Sequence, residues 1–413
     1  MIVSFGFHLG GVLQSELLKL SGGLAISIAG PVLTEEESGL LMREEIAALV
    51  LFTRNIVNEA QLDTLVTRVR GIRPNLILFI DNEGMDVGTD LRQGIWRCLD
   101  ACNNPIESFS PPPSHYTIAK KYEEDQEQGL QMAYDSGQII AAQLHKWRII
   151  SFGTVLCSNP DNKAPWAKQK SHQARQTVVD AAPGQALSQA AKEIPESPTD
   201  QGLSTWVIAG LARSFGANVD QVFALCQKRK EGMASVSATP FSVKHYPDNG
   251  CSDGDPHDLL SVVDNRSMKE ILPYSDTLYR NLKPDIIMTA HVRYTAEDSI
   301  DPDNIASLSP VWLDRVRLLQ PDALVVSDCF NMGAIKKSGL TLAQAVSRAT
   351  KCTETGGMTD LVLVCNKTVE EIYALLGELD YQPNKASKQR LNRLQQWSQD
   401  QSSRAVPSRS RWS

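Results

Sequence analysis

Eight short runs of aliphatic and β-branched residues punctuate the chain: "LAISIAG" (24–30), "IAALVLFTRN" (46–55), "NLILFIDNEG" (75–84), "RIISFGTVL" (148–156), "FSVKHYP" (241–247), "DIIMTAHV" (285–292), "ALVVSDCFN" (323–331) and "DLVLVCN" (360–366). A strand with one wet face alternates apolar and polar residues, whereas a near-continuous apolar run suits a strand covered on both faces. Parallel strands need crossovers of a dozen or more residues, and the gaps between these runs leave room for helices. Several gaps carry helical signals. "TEEESGLLMREE" has Thr34 as its N-cap, and "NEAQLDTLVTRVR" opens at Asn58. "SMKEILPYSDTLYRNL", "SPVWLDRVRLL", "TLAQAVSRATK" and "TVEEIYALLGEL" open on a capping residue or place apolar residues at helical spacing. An eightfold β/α alternation predicts a single (β/α)₈ barrel over residues 1–397, with an open doubly wound sheet as the alternative. No glycine-rich dinucleotide fingerprint follows any strand, which favours the barrel.

Two stretches break the rhythm. From Ser158 to about Ser204 the chain is rich in Gln, Ala, Pro and Ser with little periodic apolar content, and reads as a long, mobile inserted loop. It follows the fourth strand, so it is expected to emerge at the end of a barrel where catalytic loops gather. The polar tail from Ser398 to Ser413 is expected to be disordered.

Composition narrows the functions. With 413 residues, 42% of them hydrophobic, the chain can bury a sizeable core. Lys and Arg total 41 against 48 Asp and Glu, a net charge of -7, which leaves no basic field for nucleic acid. Neither a basic n-region followed by an uninterrupted apolar core nor a run of about eighteen apolar residues appears, so neither secretion nor a membrane span is expected. The eight cysteines are scattered without CxxC pairs and read as reduced thiols of a cytoplasmic protein.

Active sites of such barrels lie at the C-terminal ends of the strands. Polar residues end four of the apolar runs: Asp81 and Glu83 the third, Lys244 and His245 the fifth, His291 the sixth and Asp328 the seventh. The loop "KHYPDNGCSDGDPH" adds Asp255 and His257, two residues apart across Pro256. A turn there would set a carboxylate on an imidazole nitrogen, fixing its tautomer and raising its basicity. A metal site is disfavoured, because the glycine-rich loop is a poor rigid frame for zinc and lacks the calcium-loop pattern.

The order of "GPVLTEEE", "ALVLFTRNIVNEAQLDTLVTRVR", "DNEG", "ARSFGANVDQV", "KHYPDNG", "DPH", "MTAHVRY", "LSPVWLD", "SDCFNMGAI" and "DLVLVCN" resembles the bacterial β-N-acetylglucosaminidases of glycoside hydrolase family 3, from about Leu24 to about Trp397 less the insert. The resemblance implies a metal-free, cofactor-free retaining hydrolase. It would remove terminal N-acetylglucosamine from cell-wall muropeptides as a cytoplasmic monomer, with no nucleic acid or membrane partner. Carried over, Asp328 matches the nucleophile, and Asp255 with His257 the acid/base dyad. Lys244 and His245 match the residues that grip sugar hydroxyls, Asp81 a sugar-binding carboxylate, and Arg213 the arginine near the acetamido group.

The chain also departs from that pattern. Where the family reads close to D-Q-E-G-G-R-V-Q-R, this chain has Asp86 and Thr89 at the arginine positions and only Arg92 beyond them. Where the family reads K-H-F-P-G-H-G, Asp248 and Asn249 replace Gly and His, which adds negative charge beside the grip. Two alternatives stay open: a catalytically impaired paralogue that binds sugar or regulates, and phosphorolysis in place of hydrolysis.

Overall fold

The computed structural model describes residues 17–81, 83, 112–159, 208, 212–252, 262–336 and 338–399. Every predicted apolar run is a strand: β1 (Gly23–Ser27), β2 (Ile46–Leu51), β3 (Ile77–Ile80), β4 (Ile149–Ser151), β5 (Ser242–Tyr246), β6 (Ile286–Thr289), β7 (Leu324–Cys329) and β8 (Leu361–Val364). All pairings are parallel, in the order β4-β3-β2-β1-β8-β7-β6-β5. The two end strands meet through a single parallel bridge, Val155 to Lys244. There Lys244 N donates to Thr154 O at 2.9 Å, and Leu156 N donates to Lys244 O at 2.6 Å. The sheet therefore closes into the expected (β/α)₈ barrel, and the β4–β5 seam is its most thinly bonded joint.

Side-chain alternation then sorts the strands into two faces. Ala25, Ala48, Val50, Ile77, Phe79, Ile150, Met288, Val326 and Leu363 fill the barrel interior. Leu24, Ile26, Leu49, Leu78, Val243, Ile287, Val325 and Val362 face the helices in the outer core. This two-sided burial is why the runs read as continuously apolar. The terminal helix Lys385–Gln399 adds Leu391 and Leu394 to the interior cluster. Its Ser398 hydroxyl donates to Leu76 O beside the start of β3, so the helix closes the N-terminal mouth.

The helix starts follow from their caps. Thr34 and Glu37 form a reciprocal capping box at Glu35–Leu41, as do Thr341 with Gln344 and Thr368 with Glu371 at their helices. Asn58, Ser267 and Ser309 cap the helices Glu59–Ile72, Met268–Leu282 and Pro310–Leu319. Among the described residues, no helix is long and apolar enough to cross a membrane. Most of the inserted segment and of the polar tail lies outside the described residues. Ser158 and Asn159 are buried, and Ser398 and Gln399 complete the terminal helix.

Candidate active site

The interior alternation, carried past the last apolar layer, sets which side chains line the C-terminal mouth. Two residues beyond Phe79 stands Asp81, two beyond Val326 stands Asp328, and two beyond Leu363 stands Cys365. Lys244, in register with the interior Met288, is the matching position on β5. The apolar strands thus deliver carboxylates and a cation to one rim.

Lys244 and Arg213 converge on two carboxylates. Lys244 Nζ donates to Asp81 Oδ1 at 2.5 Å and lies 2.6 Å from Glu83 Oε1. Arg213 grips Glu83 with both arms of its fork, Nε to Oε2 at 2.5 Å and Nη2 to Oε1 at 2.7 Å. Two cations and two anions make this quartet neutral overall. Burial works against the Glu83 charge, but Arg213 and Lys244 outweigh it and hold the carboxyl well below its ordinary range. For Asp81, burial and the neighbouring Glu83 charge outweigh Lys244 and push the carboxyl up to about 6. Glu83 stands two residues after Asp81, beyond the end of β3, yet nothing in the sequence identifies it as the carboxylate that joins Lys244 to Arg213.

Asp328 faces His245, with Oδ2 3.9 Å from Nε2. Burial pushes His245 down to about 3 and Lys244 and Arg213 add to that fall, against the pull of Asp328. The ring is therefore neutral at physiological pH. Its other nitrogen lies 3.5 Å from Cys157 Sγ. Asp328 Oδ1 accepts the N–H of Cys329 at 2.7 Å. Buried His291 holds the next peptide, since its Nε2 lies 3.1 Å from the Cys329 carbonyl and its Nδ1 2.7 Å from Ser307 Oγ. A carbonyl only accepts, so Nε2 carries the proton and Nδ1 accepts from the serine. His291, a strand-end candidate from the sequence, thus supports the residue that follows Asp328.

Asp248 is fully buried in a polar knot. Oδ1 accepts from the backbone N–H groups of Ser158 (2.9 Å), Asn249 (2.8 Å) and Gly250 (3.0 Å). Oδ2 accepts from Ser158 Oγ (2.6 Å) and Arg266 Nη2 (2.8 Å). Arg266 also pairs with buried Asp264, and the Tyr294 hydroxyl donates to the Asp248 carbonyl. An arginine and four other donors thus satisfy the extra carboxylate, and because the arginine is shared with Asp264 the knot keeps one net negative charge. It ties the end of β5 to the chain after β4, across the seam where the barrel closes.

Asp255, His257 and Arg92 lie outside the described residues. Asp81, Arg213, Lys244, His245 and Asp328 are all placed, and the contacts above bring them to one face of the barrel. Among the described residues, no group of three or more His, Cys, Asp or Glu is arranged to hold a metal ion.

A closed parallel barrel with ionisable residues gathered at the C-terminal ends of its strands defines the (β/α)₈ class of enzymes. Residues 204–396 match the glycosyl hydrolase family 3 N terminal domain. The chain is 28% identical over 383 residues to the β-hexosaminidase of Chromobacterium violaceum, covering 90% of this chain and 86% of that one. It is 28% identical over 366 residues to the β-hexosaminidase of Methylococcus capsulatus, covering 86% and 85%. Among solved structures, NagZ from Neisseria gonorrhoeae in complex with N-trifluoroacetyl-D-glucosamine shares the fold with a TM-score of 0.65 at 22% identity, over 92% of this chain and 91% of that one. The chain is thus similar over most of its length to bacterial β-hexosaminidases, with residues 204–396 matching the family 3 domain, and by class it is a glycoside hydrolase.

Proposed function

We propose that the protein is a retaining exo-β-N-acetylglucosaminidase that hydrolyses terminal N-acetylglucosamine from peptidoglycan fragments, acting in the cytoplasm in cell-wall recycling. The observation that carries this reading is the convergence of Asp81, Lys244, His245 and Asp328 on one barrel mouth, where the neutral quartet leaves Asp328 as the one further carboxylate. A sugar is neutral and dense in hydroxyls, so it needs paired donors and acceptors. Lys244 supplies a donor and Asp81 an acceptor. The neutral ring of His245 can give or take a hydrogen bond.

In the first step the Asp328 carboxylate attacks the anomeric carbon and the glycosidic bond breaks. The leaving oxygen takes a proton from His257, which Asp255 orients. In the second step His257, now neutral, takes a proton from water; the water oxygen attacks the anomeric carbon and Asp328 is released, so the configuration is retained. Burial lowers His245 to about 3, so its ring is a poor acid near neutral pH. The family resemblance implies that the Asp255–His257 pair takes the acid/base role.

The test is release of nitrophenol from para-nitrophenyl N-acetyl-β-glucosaminide by purified protein, with and without phosphate. Turnover by the wild type and its loss in Asp328→Ala and His257→Ala support the reading. Acceleration by phosphate would make the reaction phosphorolysis. Sugar binding with no turnover in the wild type would favour the noncatalytic alternative.

A further inference from the structure

Cys329 and Cys365 stand at the C-terminal ends of the neighbouring strands β7 and β8, beside the proposed nucleophile. The register between these strands shifts between Val326 and Cys329. Cys329, which follows Asp328 and by simple alternation would face the helices, instead packs against the interior cluster. Its Sγ lies 3.4 Å from Cys365 N and 3.9 Å from Cys365 O. Cys365 is 1% exposed, whereas Cys329 is only partly covered.

The two thiols are unequal. A hydrogen bond from the Cys365 thiol outweighs burial and lowers Cys329 below the ordinary thiol range. The same bond, with burial, holds Cys365 well above it. Elsewhere burial raises Cys226 to about 12, and Cys157 still further. The pair therefore combines a more acidic, partly covered thiol with a buried partner in contact, the arrangement that lets one cysteine react and the other resolve.

We propose that Cys329 and Cys365 form an oxidisable dithiol whose disulfide displaces Asp328 and switches the site off. The oxidant is a hydroperoxide. The Cys329 thiolate attacks the terminal oxygen, the O–O bond breaks, and water or an alcohol leaves with a proton, giving a sulfenic acid. The Cys365 sulfur then attacks the Cys329 sulfur, the S–O bond breaks, and a second water leaves carrying the Cys365 proton. Two thiols are oxidised and one peroxide is reduced; a dithiol reductant reverses the change. The link to function is geometric. Asp328 Oδ1 holds the Cys329 N–H, and His291 holds the Cys329 carbonyl, so drawing Cys329 toward Cys365 moves the nucleophile carboxylate with it. A displacement of about 1 Å at a reacting group costs about 100-fold in rate.

The switch rests on the functional reading above, and the experiment separates the two. Wild-type protein is treated with hydrogen peroxide, its free thiols are blocked, and its peptides are mapped alongside turnover of the nitrophenyl glycoside. The expected result is a Cys329–Cys365 linked peptide that grows as turnover falls by about 100-fold, with both restored by dithiothreitol. Cys365→Ala should lose the reversible response, read as its turnover after peroxide relative to its own turnover before. An active reduced protein that yields no linked peptide, or one that yields it without losing turnover, overturns the switch alone. The mapping uses the wild type, so it decides even if the variant fails to fold. A reduced protein without turnover overturns the functional reading and the switch with it.

Discussion

Asp248 gives a graded test of the barrel seam. Its carboxylate divides its work: Oδ1 serves three backbone N–H groups, while Oδ2 serves Ser158 Oγ and Arg266. In Asp248→Asn the amide oxygen can keep the three backbone bonds, but its NH₂ faces Arg266, which retains Asp264. The loss is one charge-assisted contact, about 2 kcal/mol. In Asp248→Ala all five contacts go, leaving the N–H groups of Ser158, Asn249 and Gly250 without their acceptor in a buried region. Truncating one side of such a knot costs about 4 kcal/mol, a large fraction of a total stability of about 5–15 kcal/mol. Urea unfolding followed by circular dichroism at neutral pH reads both values. A cost for Asp248→Ala below about 1 kcal/mol, or equal costs for the two variants, would refute this account of the seam. Because Lys244 forms the bridge at the same seam, the alanine variant should also raise KM for the nitrophenyl glycoside more than it lowers kcat.

Three further outcomes follow from the geometry. Asp81 is held near 6, so its carboxylate is lost as pH falls through that value; kcat/KM should fall on the acid side, and Asp81→Asn should lower kcat/KM and remove that limb of the pH profile. Glu83→Gln leaves the enclosed Lys244 and Arg213 to share Asp81, and should raise KM by about 10- to 100-fold, read from initial rates, while the fold persists by circular dichroism. At the opposite end of the barrel, Asp360 accepts from Arg317 Nη2 (3.0 Å), Arg390 Nε (2.9 Å), Arg390 Nη2 (2.7 Å) and Val325 N (2.9 Å). Asp360→Ala should cost about 4 kcal/mol in urea unfolding, with kcat/KM unchanged in the folded protein.

The eight strands were legible because each is covered on both faces and so appears as an apolar run. The named helices were legible through Thr34, Asn58, Ser267, Ser309, Thr341 and Thr368. The helices Gln126–His145 and Val219–Val236 were not assigned, and their packing explains why. They approach through Gly137 and Gly232, where an added Cβ would collide with the carbonyl oxygens of Arg229 and Tyr134. Small residues such as Ala133, Ser136 and Ala141 are buried on the same helix. Close approach replaces large side chains there, so the sequence carries little hydrophobic signal. Strand-end position was enough to single out Asp81, Lys244, His245 and Asp328, which the structure brings to one end of the barrel. The function of Glu83 was hidden, because a carboxylate that clamps two cations looks, in sequence, like any residue leaving a strand. The partners of Asp248 were hidden for the complementary reason: its arginine partner stands eighteen residues away and its serine partner ninety.

The central claim is that Asp328 forms a covalent bond to the sugar. It is tested most directly by trapping with a fluorinated N-acetylglucosaminyl donor that slows release of the intermediate, followed by peptide mass spectrometry. The account predicts a sugar adduct on the peptide carrying Asp328, and none in Asp328→Ala. An adduct on another residue, or steady nitrophenol release by Asp328→Ala, would contradict it.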